Sequence, residues 1–348
     1  MSQQPQNPEW KGVVGIQNMG NTCYCNSTLQ LIRACPEWTA FCLSQPLKTR
    51  LEHISDSDPN KQMLLAYQDI LHSLWSAYRP GYVRPLGFMA EVKKAVKDTP
   101  YEMFGLPVQN DSHEYLVYLL DHFHEALKTK TAYVERPLSV NMTAAAKMRI
   151  LAENGWNTYE SQNRSEIVRL FFGMMRKTVE CSQCHTRTYR WEVFNSLKIP
   201  CEGNTFYEWI RGEANEVTPL DGYQCDTCHG RYPATIRSHL WRLPQNLFVT
   251  LRRFQYNGQK NMAACPYTGE NITFRDFYAE ESDDPNKHAI YEVRGVTDHH
   301  GSHMGGHYIA QCKHPITGQW WLYDDQTAHP MPAVQCSPSN YLFYFRRV

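Results

Sequence analysis

No stretch of this chain approaches the roughly 20 consecutive apolar residues that a membrane-spanning helix needs. The opening residues, MSQQPQNPEW, are polar and lack the basic-then-apolar order of a secretory leader. Net charge is missing too: 35 basic residues face 35 acidic ones. Bulk charge therefore gives no drive toward nucleic acid or an anionic membrane, and no long basic run makes up for it. Internal repeats are absent beyond one short duplicated turn. These absences predict a cytoplasmic or nuclear protein with neither a membrane nor a nucleic-acid partner. Cysteine, by contrast, is plentiful, at 12 of 348 residues. In a reducing compartment so many thiols point to metal or nucleophilic chemistry before disulfides.

Two matched pairs, Cys181-Ser-Gln-Cys184 and Cys225-Asp-Thr-Cys228, have metal-ligand spacing. Each places two thiolates on one tight turn, and two such turns complete a closed tetrahedral site. A closed set of four thiolates predicts a structural zinc ion, stapling a segment too small to hold a core of its own. His185 and His229 follow the second cysteine of each pair and read as exposed turn residues. The mildly basic flanks of these turns are the sole feature favouring a zinc-ribbon nucleic-acid binder.

Cys23 reads differently. It follows Gly20-Asn21-Thr22 and begins a helix predicted over 23–34. A helix N-terminus offers unpaired N–H groups and partial positive charge, which predicts a thiol shifted toward thiolate. Asn18 lies five residues upstream, where its amide can act with the Cys23 backbone N–H as an oxyanion donor. Cys25, Cys35, Cys42, Cys201, Cys265, Cys312 and Cys336 read as structural.

A general base for that thiol is available far along the chain. Gly305 and Gly306 give backbone freedom before His307, and a strand follows that would hold the imidazole on a rigid element. The next strand ends in Asp324-Asp325. In an antiparallel hairpin, Asp324 would lie beside His307 and accept its Nδ1–H, leaving Nε2 to face the thiol; Asp325 is the second choice. His299, His300 and His303 read as a solvated loop.

Periodicity completes the organisation. Helical patterns run over 63–77, 88–97 and 112–127, with a weaker one at 142–153. The pattern at 112–127 is the clearest, with Asp111 as N-cap and Glu114 three residues on, a capping-box spacing. After Phe171 the period turns to two, with strand candidates at 189–193, 197–199, 235–243, 247–254, 291–298, 308–313, 320–323 and 341–346. Helices first and strands second predict an α+β fold with an antiparallel sheet beside a helical lobe.

These motifs together resemble the ubiquitin-specific proteases. The family's cysteine box is met by Gly15 to Gln30, with Ile16 in place of leucine. Gln109-Asn110-Asp111-Ser112-His113-Glu114-Tyr115 resembles its Gln-Gln-Asp-Ala-x-Glu-Phe box, and Leu251-Arg252-Arg253-Phe254 its Leu-Lys-Arg-Phe strand. The histidine and aspartate boxes follow in the family's order. Segments 128–164 and 255–277 depart from its pattern.

The resemblance implies a papain-like right hand after a polar lead-in at 1–11: a helical thumb over about 12–170, zinc-ribbon fingers over 171–245 and an antiparallel palm over 246–348. It implies a deubiquitinase with Cys23 as nucleophile, His307 as base, Asp324 as orienter, Asn18 as oxyanion donor and Asp325 assisting. Asp111 and Glu114 would meet the basic tail of ubiquitin, and Tyr308 would line a channel for its Gly-Gly end. Ubiquitin, ubiquitinated proteins and an activating protein are the implied partners. Alternatives are a protease for another ubiquitin-like modifier and a non-catalytic ubiquitin-binding scaffold.

Overall fold

Every residue of helix α1 (Cys23–Arg33) is buried. A helix buried on all sides is normally apolar on all sides, yet this one carries Asn26, Ser27, Thr28, Gln30 and Arg33. Buried polar groups are tolerated when they find partners. Gln30 donates to the Val14 carbonyl at 3.0 Å, Thr28 to the Tyr24 carbonyl at 2.8 Å and Arg33 to the Gly12 carbonyl at 2.6 Å. The Arg33 guanidinium also lies 4.8 Å over the Tyr323 ring. The central helix is thus tied both to the chain before it and to the sheet behind it. The structure, a computed structural model, describes residues 11–76, 81–214, 216–255, 257–302 and 305–348.

The helical half continues through α2 (Pro36–Cys42), α3 (Gln45–Leu51), α4 (Pro59–Ser76), α5 (Leu86–Val96), α6 (Ser112–Leu127), α7 (Ala144–Gln162) and α8 (Glu166–Phe171). Helix α6 has the bounds its periodicity predicts, and its apolar face of Tyr115, Leu116, Leu119, Leu120 and Phe123 is buried. Helices α2 and α3 were not anticipated. Each is two turns long with proline in its first turn, too short for a periodic signal but held by buried Trp38 and Leu47. Helix α7 starts at the Thr143 cap, which accepts from the Ala146 N–H, and outruns the expected 142–153 because Asn154 and Trp156 find buried positions.

Strands in chain order are β1 (Gly15–Ile16), β2 (Tyr82–Val83), β3 (Gly173–Cys181), β4 (Arg187–Phe194) and β5 (Ser196–Ile199); helix α9 (Phe206–Ala214); then β6 (Val217–Cys225), β7 (Gly230–Arg242), β8 (Asn246–Leu251), β9 (Ile272–Thr273), β10 (Ile290–Ser302), β11 (Gly305–Lys313), β12 (Trp320–Asp324), β13 (Thr327–Met331) and β14 (Asn340–Arg347). A large sheet has the order β13-β12-β11-β10-β14-β8-β5, with β9 added on β10; a four-stranded sheet has the order β4-β3-β7-β6. Both are antiparallel except for the parallel β5–β8 pair. The expected α+β class therefore holds. Strand β14 shows why its sequence reads as a continuous apolar run: Leu342 and Tyr344 face the helices, while Phe343 and Phe345 face a second core with α9.

Candidate active site

The turn before α1 is wound around one oxygen. Asn18 Oδ1 accepts from the Gly20 N–H at 2.9 Å and the Thr22 N–H at 3.1 Å. Gly20 and Asn21 take positive φ, 103° and 55°, to make that wrap. The Asn21 amide then donates to the Pro107 carbonyl at 2.9 Å. Cys23, the first helical residue, is 3 % exposed, and its sulfur lies against the backbone N–H of Tyr308 on β11. The expected shift toward thiolate is not what the structure holds. Burial pushes the Cys23 thiol up and the Asp325 charge adds to that, while the Tyr308, Tyr24 and Cys23 N–H groups pull it down. Desolvation by burial outweighs the helix end, so the resting group is held toward the thiol form.

The histidine expected as base sits one residue from the same contact. His307 on β11 makes a 2.7 Å hydrogen bond with Asp324 Oδ1 at the end of β12. The two strands pair antiparallel, Ala310 opposite Tyr323, as the sequence predicts. The ring nitrogens are reversed, however: Nε2, not Nδ1, meets Asp324. An imidazole held by its far nitrogen keeps Nδ1, the atom nearer the backbone, out of that bond. Spacing along a strand cannot reveal which edge of a ring faces the neighbouring strand.

The adjacent aspartates divide the work. Asp325, at φ 46°, has a carboxylate oxygen in one group with the His307 and Asp324 polar atoms, all within 4.8 Å of one another, and it accepts from Asn18 Nδ2 at 2.9 Å and Asn26 Nδ2 at 2.7 Å. Its own carbonyl accepts from the Ile16 N–H at 2.7 Å. A side chain at Gly15 would collide with the 325–326 backbone, so glycine is required for this approach. An amide nitrogen carries two protons; Asn18 commits one to Asp325, which leaves one for another acceptor. Asn26 was missed in the sequence. Its signal was the i,i+3 spacing from Cys23, which places both on one face of α1.

Asp111, Glu114 and Tyr308 line one cleft of about 400 Å³ between the helical layer and the large sheet. Asp111 is fully engaged by the fold: it accepts from the His113 and Glu114 N–H groups at 2.8 and 2.9 Å and from the Tyr341 hydroxyl at 2.5 Å. Among the described residues no hydrogen bond returns from the Glu114 carboxylate to the Asp111 N–H, so this is an N-cap and not a reciprocal box. Exposed Glu114 is the carboxylate that faces the cleft, its pKa raised by partial burial and by Asp111. Gln109, also missed, spans the cleft and exchanges two hydrogen bonds with Gly306, one of them 2.6 Å from Nε2 to the carbonyl. The reading of a solvated histidine loop fails for His299, which is 3 % exposed on β10 against the Tyr308 ring. His300 is exposed as expected; His303 lies outside the described residues.

The ubiquitin carboxyl-terminal hydrolase family model matches residues 14–344, nearly the whole chain. The chain belongs to that family. Ubiquitin carboxyl-terminal hydrolase 2 of Homo sapiens is 27 % identical over 353 residues, covering 96 % of this chain and 55 % of that protein. Its namesake Usp2 in Drosophila melanogaster is 26 % identical over 356 residues, covering 97 % and 35 %. The chain thus spans about half the length, or less, of these curated relatives. Among solved structures, the SAGA Ubp8/Sgf11/Sus1/Sgf73 DUB module bound to ubiquitin aldehyde matches with a TM-score of 0.71 at 21 % identity, covering all of this chain and 72 % of the other. That likeness shows a shared fold.

The family fold here includes a four-cysteine cluster. Cys181 and Cys184 sit at the β3–β4 turn, Cys225 and Cys228 at the β6–β7 turn, and their sulfurs all lie within 4.8 Å of one another. Zinc–sulfur bonds of about 2.3 Å in a tetrahedron require sulfurs about 3.8 Å apart; Cys184 and Cys225 are at 3.6 Å. The four thiols therefore fit a metal ion. His185 and His229 take φ of 58° and 53° at equivalent points of the two turns and are exposed, as the sequence predicts. Among the described residues no helix is long and apolar enough to cross a membrane.

Proposed function

We propose that this chain is a thiol-dependent deubiquitinase that hydrolyses the isopeptide or peptide bond after the C-terminal glycine of ubiquitin. The observation that carries the reading is the convergence of three distant segments: the Cys23 sulfur against the Tyr308 N–H, and His307 beside it bonded to Asp324. In this reading Nδ1 of His307 takes the thiol proton as the sulfur attacks the glycine carbonyl carbon. Asn18 Nδ2–H and the Cys23 N–H receive the developing oxyanion. The imidazolium, steadied by Asp324, passes its proton to the leaving lysine amine, and a thioester remains. Water then attacks, with His307 as base, and the thiol is restored. Asp325 and Asn26 act through Asn18 as positioning residues. Glu114 meets a cation on the modifier's tail, and Asp111 shapes the same wall while capping α6. We assign the four-cysteine cluster to structural zinc and the segments 12–170, 171–245 and 246–348 to thumb, fingers and palm. The solved SAGA DUB module, in which Ubp8 stands with Sgf11, Sus1 and Sgf73, supports a protein partner for this chain as well.

The test is a panel of fluorogenic conjugates of ubiquitin and related modifiers. Cleavage of the ubiquitin conjugate is expected. Cleavage of a different modifier alone would shift the substrate assignment, and binding without turnover would favour the scaffold reading. A second prediction concerns Asn26→Asp, which sets a carboxylate against Asp325. Losing the alignment of one oxyanion donor should lower kcat about 100-fold with KM nearly unchanged. An unchanged kcat would remove Asn26 and Asp325 from the oxyanion assembly.

A further inference from the structure

Lys260 lies in the segment that matches no family box, yet its ammonium reaches into the cleft wall. It donates to His299 Nδ1 at 3.1 Å, to the Gly301 carbonyl at 3.3 Å and to the His299 carbonyl. An ammonium has three protons and no acceptor, so all three are spent on one stretch of β10. Burial lowers the Lys260 pKa to about 8, with Arg253 adding to the effect, so at pH 7 the group is predominantly charged and only donates. His299 Nδ1 is therefore the acceptor, and the imidazole proton sits on Nε2. Burial also holds His299 neutral, with its pKa lowered to about 4.

The ring so fixed is part of the cleft. It packs 4.5 Å from the Tyr308 ring and 5.4 Å from that of Phe254, centroid to centroid, and all three line the cleft. It also touches the backbone beside the base: a side chain at Gly306 would be driven into the His299 ring. Lys260 is itself a fixed point. Buried Arg253 donates to the Asn261 and Ala263 carbonyls at 2.9 Å each and to the Asn340 carbonyl at 2.5 Å, which pins the turn carrying Lys260 to β14.

We propose that Lys260 is a positioning and specificity-setting residue: by locking the His299 ring and the lip of the β10–β11 hairpin, it fixes the cleft depth so that only an end lacking side chains reaches Cys23. This rests on the reading that a glycine-ended tail occupies the cleft. The adjoining Gly305-Gly306 backbone leaves that lip no bulk of its own, so its position depends on what holds it. The lock is formed by a side chain from a turn some 40 residues away in sequence.

The test compares wild type with Lys260→Met, which keeps the stem and removes the donors, and with Lys260→Arg, which keeps charge and donors. Substrates are a fluorogenic ubiquitin conjugate and the same conjugate with alanine for the penultimate glycine. For Lys260→Met we expect KM to rise about tenfold, kcat to fall by no more than about twofold, and the preference for glycine over alanine to shrink at least about fivefold. Lys260→Arg should recover most of that preference. Histidine ¹⁵N NMR of the unliganded protein should show His299 losing its single Nε2–H tautomer in Lys260→Met, a change that a folding defect would spread to every histidine. An active wild type with unaltered KM and preference in folded Lys260→Met overturns the Lys260 proposal alone. A wild type inert toward the ubiquitin conjugate overturns the functional reading, and the specificity role falls with it.

Discussion

Cys23→Ala is expected to reduce kcat on a ubiquitin conjugate by roughly a millionfold, to the level left by the remaining groups of the site. The size follows from the chemistry assigned to the sulfur. Without it no thioester forms, and neither His307 nor Asn18 has an attacking atom to serve. Stability should change little. Cys23 is small, and truncating one sulfur at a helix end removes about 1 kcal/mol of packing. Cys25 is the control on the same helix turn. It is fully buried, its thiol is pushed up to about 12 by that burial, and it bonds the Tyr115 hydroxyl at 3.3 Å. Cys25→Ala should therefore lower the melting temperature while keeping turnover within about threefold of wild type. A ubiquitin carrying a thiol-reactive C-terminus should label wild type and Cys25→Ala, and leave Cys23→Ala unlabelled. Turnover that survives Cys23→Ala would end the assignment of this sulfur as nucleophile.

What the sequence disclosed about this site was local chemistry with strong punctuation. The turn 18–22 announces itself by glycine and asparagine at positions that need positive φ. Helix α6 announces itself by a cap and an unbroken 3.6-residue period. The His307–Asp324 pairing was legible because two strands separated by a short turn must be neighbours. What stayed hidden depended on packing between remote segments. The Cys23 thiol is raised because β11 covers it, and helix-end reasoning cannot weigh that burial. The imidazole nitrogen that meets Asp324 depends on ring orientation. His299 looked solvated because it stands in a run of histidine and glycine; its burial comes from Phe254, Tyr308 and the Lys260 turn. Strand β6 escaped because it is an edge strand, exposed along most of its length and interrupted by Pro219, held by pairing with β7 and not by an apolar face.

That exposed edge makes removal of the proposed zinc the other perturbation with a large effect. Along β6, Cys225 is the buried residue, and Cys181 at 0 % exposure is its counterpart on β3. At the tip of this sheet four sulfurs take the place that side-chain packing holds elsewhere. Structural zinc contributes on the order of 10 kcal/mol in small thiolate sites, far more than the tip's apolar contacts can replace. Stripping it with a chelator, or replacing Cys184 by Ser, should free the ends of β6 and β7 to exchange their amide hydrogens at least about a hundredfold faster, since local opening is limited by whatever holds that end closed. Strand β14, sealed between two cores by Leu342, Phe343, Tyr344 and Phe345, should keep its protection. Metal analysis should find one zinc per chain before treatment and none after. On the proposed assignment of this segment as substrate-holding fingers, turnover should fall through KM first, because the His307–Asp324 pair is anchored in the other, large sheet. Unchanged exchange at 217–225 in metal-free protein would show that the four thiols hold the tip without an ion.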